Sequence, residues 1–513
     1  MRTVGGRTDR VVVVGAGLSG LSAALQLAGR GRSVTVVERE TFPGGRMGRL
    51  DVRGYRLDTG PTVLTMPDII EDAFAAVGAS MTDRLELHRV DPAYRASFAD
   101  GTGLNVHTDA AAMAGEIEGF AGSDAADAYL KMRAWLTRLY EVEFNGFIAS
   151  NFDSPLSLAT PALARLAALG GFRRWDRVIR RFITDDRLRR IFTFQALYAG
   201  VPPHKALAAY AVIAYMDTVA GVYFPRGGMR AVPEAMAAAA ADAGVDFRYG
   251  ASVSELERHA DGRVAAVRTD TGERFDTDAV VLTTELPTTY RLLGRTPRRL
   301  LPIRPAPSAV VAHVGCPAVT GPDAPGHHTI LFGDAWETTF TDIIEDGRVM
   351  SDPSLLVTRP TAGDPRLAPD GRDLLYVLAP APNLKVGQVD WSTSRDSYVE
   401  QMLAAVRSRI PALGDDLELL HVVDPDDWAR QGMVAGTPFA LAHTFAQTGP
   451  FRPANMLRGA DNVVLAGSST VPGVGVPTAL LSGRLAADRI TGADIRRRTT
   501  TSTGSTRTRS GLP

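Results

Sequence analysis

The sequence predicts an α/β fold with three parts: a Rossmann-like domain that the chain visits discontinuously, a substrate domain on a mixed sheet, and a helical insert. Three observations predict it. Near the amino end, the β-branched run Val11 to Val14 passes directly into Gly15-Ala16-Gly17-Leu18-Ser19-Gly20 and then into a helical stretch from Leu21 to Ala28. Near the other end, the strand-like Asn462 to Ala466 reaches Gly467 and leads through Gly473 and Gly475 into a helix from Thr478 to Ile490. Between these ends, a stretch with helical character separates two groups of short, strand-like segments.

Strand, glycine turn and helix in that order make a site for a dinucleotide. Gly15 permits the tight turn, Gly17 lets the backbone approach a diphosphate, and Gly20 lets helix and strand pack closely. The helix amino terminus then faces the phosphates, so Ala16 and Ser19 join the three glycines as expected contacts. Ser33 to Val37 reads as a second buried strand, and Glu38 at its end stands where a carboxylate accepts hydrogen bonds from ribose hydroxyls. Downstream come Pro43-Gly44-Gly45-Arg46 and Tyr55-Arg56-Leu57-Asp58-Thr59-Gly60-Pro61. Here the sequence resembles the flavoprotein superfamily that includes amine oxidases and carotenoid desaturases, and the resemblance implies that Gly45, Arg46, Gly60 and Pro61 extend the site; a guanidinium does offer bidentate donors to phosphate, and glycines let backbone approach a flat ring. The plainer reading of Arg46 is a solvated surface charge. In the last glycine segment, Gly467, Gly475 and Val476 are expected to meet the same cofactor, with a helix dipole favouring electron acceptance.

The first domain is expected over 8–105, returns over 221–290 and closes over 455–492. The return holds a helix from Val232 to Ala243, strand-like pieces from Val245 to Thr283 and a hairpin around Asp270-Thr271-Gly272. The helical insert is assigned to 106–220 and the substrate domain to 291–454, with strand-like Ala309 to Val314, Ser354 to Thr358 and Leu374 to Leu378 and a helix near Ser397 to Arg409. The remaining 493–513, rich in Thr, Ser and Arg, reads as a disordered basic tail.

Bulk properties exclude several classes of function. A formal net charge of -1 supplies no field to recruit nucleic acid. With Cys316 as the single cysteine and the nine histidines in no ligand pattern, neither a disulfide nor a metal site is expected. The adjacent His327 and His328 would point apart on a regular element. Arg2 and Arg7 precede an apolar stretch broken by glycines, which is a poor signal peptide, and no apolar run of about 20 residues is present. The expected location is cytoplasmic, with contact to a bilayer but no crossing.

Three stretches narrow the reading. Tyr223-Phe224-Pro225-Arg226-Gly227-Gly228-Met229, then Leu356-Val357-Thr358-Arg359-Pro360-Thr361 with Leu367-Ala368-Pro369 and Tyr376-Val377-Leu378, then Leu441-Ala442-His443-Thr444-Phe445 through Phe451-Arg452-Pro453, resemble the bacterial-type phytoene desaturases of the amine-oxidase-like flavoprotein superfamily. The chain departs from that pattern at Gly467-Ser468-Ser469-Thr470, where Gly-Ala-Gly-Thr is common, and at Thr478, where glycine is common. The resemblance implies FAD as cofactor and conversion of phytoene toward lycopene. A hydride would pass to flavin, a proton would leave the adjacent carbon, and quinone or oxygen would take the electrons. It implies no certain acid or base; His443 and Arg359 are the candidates, and Phe445 reads as packing or tunnel lining. A carotenoid isomerase, a ketolase, a diapophytoene desaturase and a noncatalytic prenyl-binding protein on the same scaffold stay open.

One further pattern concerns access. Phe172, Trp175, Val178, Ile179 and Phe182 share a helical face opposite Arg173, Arg177, Arg180 and Arg181. Such a stripe fits either an interfacial helix on an anionic membrane or a helix packed on the protein core. A water-insoluble substrate favours the first, and with it a peripheral association.

Overall fold

The computed structural model describes residues 1–299, 302–321 and 324–492, so the expected basic tail lies outside the described residues. A five-stranded parallel sheet carries the order Asp246–Arg248, Ser33–Val37, Arg10–Val14, Ala279–Leu282, Val463–Leu465. Its strands come from the beginning, middle and end of the chain. Arg10–Val14, Ala279–Leu282 and Val463–Leu465, almost wholly buried, read as near-continuous runs of Val and Leu, as central parallel strands do. The helix after the first strand covers Leu18–Ala28, three residues earlier than its periodicity suggests, because Gly17 already ends the extended backbone.

The final helix, Val476–Thr491, packs directly on Leu18–Ala28. Gly483 makes this possible: a Cβ there would lie 2.2 Å from the Ser19 carbonyl oxygen. The Ser22 hydroxyl donates to the Leu480 carbonyl at 2.7 Å across the same crossing. The two glycine loops preceding these helices are thereby brought side by side, although more than 400 residues separate them.

The second large sheet has seven strands in the order Glu418–Val423, Ser308–Pro317, Arg372–Ala381, Leu355–Thr358, His328–Phe332, Tyr94–Phe98, Gly103–Val106. It is antiparallel except where Tyr94–Phe98 runs parallel to His328–Phe332. The boundary expected at 105 is therefore corrected: the strands of 94–106 belong to the substrate sheet. Phe98, stacked on Phe332 with ring centres 5.3 Å apart, belongs to that packing. Cys316 is buried in this sheet.

Residues 110–220 are mainly helical, the longest helix being Ser123–Glu143. Here the interfacial-helix reading is overturned. Only Trp175–Ile179 is α-helical; Trp175, Val178 and Ile179 are buried in the protein core, and Phe182 packs on Trp135. Trp175, Val178, Ile179 and Phe182 are apolar because they face inward, whereas Phe172 stays exposed. No described helix is long and apolar enough to cross a membrane.

Candidate functional site

A cavity of about 1300 Å³ runs from the parallel sheet, past both glycine loops, to the inner face of the helical insert. That exceeds the roughly 300–1,000 Å³ of ordinary small-molecule sites and leaves room for two ligands. Its polar end is formed by the expected residues. Gly15, with φ +104°, turns the chain so tightly that a Cβ would meet the Thr283 hydroxyl oxygen at 2.3 Å. Gly17 and Gly44 form a backbone bridge, and a Cβ on Gly45 would approach the Gly17 Cα to 3.2 Å.

Gly15, Gly17, Ser19, Glu38, Gly45, Arg46, Gly60, Pro61, Gly467, Gly475 and Val476 all line this cavity. Ala16 and Gly20 do not. The Ala16 N–H donates to Glu38 Oε2 at 2.6 Å and the Glu40 N–H to Oε1 at 2.9 Å, so both set the carboxylate in place. Gly20 acts behind the wall, where a Cβ would lie 1.9 Å from the Gly15 carbonyl oxygen.

The donor set suits a diphosphate and a flat ring. Leu18–Ala28 and Val476–Thr491 both begin at glycine without a side-chain cap, so the free N–H groups of their first turns, Pro477 having none, are left for a ligand. Arg46 lines the cavity, is ion-paired to Glu285, and keeps a buried, unpartnered Nε. It is therefore held in the wall rather than free on the surface. Thr478, where the resemblance has glycine, donates to the Gly475 carbonyl at 3.1 Å, so its hydroxyl is occupied at the turn.

The other end is apolar, walled by Phe147, Leu163, Leu166, Leu207, Ile213 and Leu356 among others. His443 lines the cavity between the two regions, packed so closely on Gly473 that a Cβ there would lie 2.3 Å from Cε1. Burial, aided by the Arg452 guanidinium, holds its pKa well below that of an ordinary histidine, so the imidazole is neutral. His328 also lines the cavity; burial pushes it down to about 4, and its Nδ1 meets the Thr358 hydroxyl at 2.9 Å.

Arg359 is the correction at this site. It lies outside the cavity wall, bonded to Asp373 at 3.0 Å and to the Val319 carbonyl at 2.9 Å. Its segment is a structural tie in the substrate sheet. Phe445 is 62% exposed at the cavity rim, so it is not core packing.

Two carboxyls in the wall have no motif to announce them. Glu143, at the end of the longest helix, is buried with Oε1 unpartnered, and burial raises its pKa well above the carboxylate range. Asp217 accepts from Gln195 Nε2 at 3.1 Å, and burial raises it to about 7. Their only sequence signal is an acid within an otherwise apolar helical face.

Residues 18–491 match the family model described as flavin containing amine oxidoreductase. The chain is 62% identical to a phytoene dehydrogenase of Streptomyces griseus, over 97% of this chain and 98% of that protein. It is 36% identical to a zeta-carotene-forming phytoene desaturase of Myxococcus xanthus, over 94% of this chain and 93% of that protein. Among solved structures, an oxidoreductase from Methanosarcina mazei shares the fold, with a TM-score of 0.61 at 16% identity, covering 93% of this chain and 99% of that one. The cofactor is FAD. The chain belongs to the phytoene desaturases within the flavin-containing amine oxidoreductase family.

Proposed function

We propose that this protein desaturates phytoene toward lycopene in carotenoid biosynthesis, using FAD, at the surface of a membrane. One observation carries the reading: the cavity joins a dinucleotide cradle to an apolar chamber without interruption. When bound, FAD supplies the two-electron acceptor for the hydrogen removed from carbon, and its electrons pass on to quinone or oxygen.

The protein's part is placement. Glu38 stands at the end of the second strand to hold the ribose hydroxyls, and the uncapped helix ends with Arg46 hold the diphosphate. The apolar wall excludes water and offers a polyene few hydrogen bonds, so shape and length select the substrate. His443 lines the cavity, but the burial and the Arg452 charge that keep its imidazole neutral also make it a weak base for the proton that leaves the adjacent carbon.

Expression in a phytoene-producing cell, with pigments separated by chromatography and identified by absorption, tests this directly. Lycopene or its partly desaturated precursors are expected. Persistent phytoene beside a flavin-loaded protein would reject the activity, and isomerised or oxygenated products would point to another carotenoid reaction.

Access to the substrate is argued from the rim. Phe172, 45% exposed, and Phe445 line the cavity, Leu156 nearby in the chain is 84% exposed, and Arg165, Arg173, Arg174 and Arg177 flank Phe172 in sequence as exposed cations. Apolar side chains flanked by arginines suit an anionic lipid surface, from which an oily substrate could enter. Fully burying such a side chain is worth about 1.5–3 kcal/mol. Changing Leu156, Phe172 and Phe445 together to Ser should therefore weaken partitioning onto anionic vesicles at least tenfold in a flotation assay; unchanged flotation rejects this rim as the contact.

A further inference from the structure

Arg452 is fully buried, and no carboxylate pairs with it among the described residues. Its guanidinium instead binds carbonyls: Thr470 through Nε at 2.8 Å, Ser468 through Nη2 at 2.6 Å, and Leu441 and Gln447 at 3.3–3.4 Å. Burial pushes it down only to about 10, so the charge persists at neutral pH. A buried cation without a counterion is costly, and fixed carbonyl dipoles are what offset that cost here.

Two of those carbonyls belong to the second glycine loop, which lines the cavity through Gly467, Ser468, Ser469 and Val471. Arg452 itself is not in the wall, so it sits behind the loop. The peptides 468–469 and 470–471 are trans, and in a planar trans peptide the N–H points opposite to the C=O. With both carbonyls drawn back to the guanidinium, the Ser469 and Val471 N–H groups are turned away from it, toward the cavity side. Neither N–H is donated to a protein acceptor among the described residues.

We infer that Arg452 is a positioning residue: by holding the Ser468 and Thr470 carbonyls it aims the Ser469 and Val471 N–H groups at the bound flavin, and so sets how readily FAD accepts two electrons. The inference rests on the FAD reading above and adds a determinant of the cofactor's potential. Two added electrons bring negative charge to the ring, and fixed donors aimed at it stabilise that charge without reorganisation. A cation behind the same peptides polarises them in the favourable sense.

The test is a spectroelectrochemical titration of purified holoenzyme, wild type against Arg452→Gln and Arg452→Lys. Arg452→Gln should lower the two-electron midpoint by about 30 mV or more, a tenfold change in the reduction equilibrium. Arg452→Lys, whose ammonium cannot span both loop carbonyls together with Leu441 and Gln447, should lower it by less. A variant that retains FAD at the wild-type midpoint overturns the inference. If the Gln variant does not hold FAD, the Lys variant decides by the same criterion. If neither can be loaded, Arg452 is a folding residue and the inference falls. Wild-type protein that binds no FAD overturns the functional reading as well, which separates the two failures.

Discussion

Gly20→Ala should yield a protein that does not retain flavin and is destabilised by roughly 3 kcal/mol or more, the range of severe core defects. The added methyl would lie 1.9 Å from the Gly15 carbonyl oxygen and 3.0 Å from its carbonyl carbon, both of them backbone. No rotamer change relieves such a contact. Either the helix Leu18–Ala28 moves off the sheet or the Gly15 turn opens, and both displace the N–H groups that face the diphosphate. Because Gly483 seats the final helix on the Ser19 carbonyl, the movement carries to the second loop. Purified variant and wild type can be compared by flavin absorbance per chain and by thermal midpoint. A yellow Gly20→Ala protein of wild-type stability would show that the turn and helix are not rigidly coupled.

The close packing at Gly15 and Gly20 was readable in advance, because it follows from local geometry that a short segment encodes. Glu38 was readable for the same reason: the strand, turn and helix fix its place. What the sequence carried less well were decisions made by distant partners. The periodicity around Trp175 grouped Trp175, Val178, Ile179 and Phe182, which turn inward, with Phe172, which does not; an inward face and a membrane face have the same period, and contacts with residues such as Trp135 decide between them. Arg359 drew notice through its segment, but the antiparallel pairing of Leu355–Thr358 with Arg372–Ala381 sets it beside Asp373. The helix expected near Ser397 begins at Trp391, because Asp390 caps it by accepting the Ser392 N–H at 3.0 Å. The membership of 94–106 in the substrate sheet depends on a parallel pairing across more than 200 residues, which no local pattern announces.

Glu143 and Asp217 illustrate the same limit inside the site. Each is a single acid on a helical segment, and only the assembled cavity shows that both enter an apolar wall. Neither serves the dinucleotide end, where Glu38 and Glu285 stand beside polar partners. Burial raises both carboxyls, so Glu143 is held neutral and Asp217 is neutral below about pH 7, which lets them border a hydrocarbon at reduced electrostatic cost.

Asp217→Asn should stabilise the protein at alkaline pH and leave it nearly unchanged near pH 4. In the folded chain burial raises the Asp217 pKa from 3.8 to about 7, and the Gln195 hydrogen bond offsets this only in part. Below the unfolded value both states are protonated and nothing is lost. As pH rises from about 4 to about 7 the unfolded chain ionises while the folded one does not, so stability falls across that window and then levels off. A shift of about 3 units at 1.36 kcal/mol each corresponds to at most about 4 kcal/mol. Asparagine keeps the shape and still accepts from Gln195, but has no charge to desolvate. The difference in thermal midpoint between variant and wild type, measured at pH 4.5 and at pH 8, should therefore be small at the lower pH and clearly positive at the higher. Equal differences at both would mean that Asp217 ionises as freely in the fold as in the open chain, and that the apolar chamber is wet where its carboxyl enters.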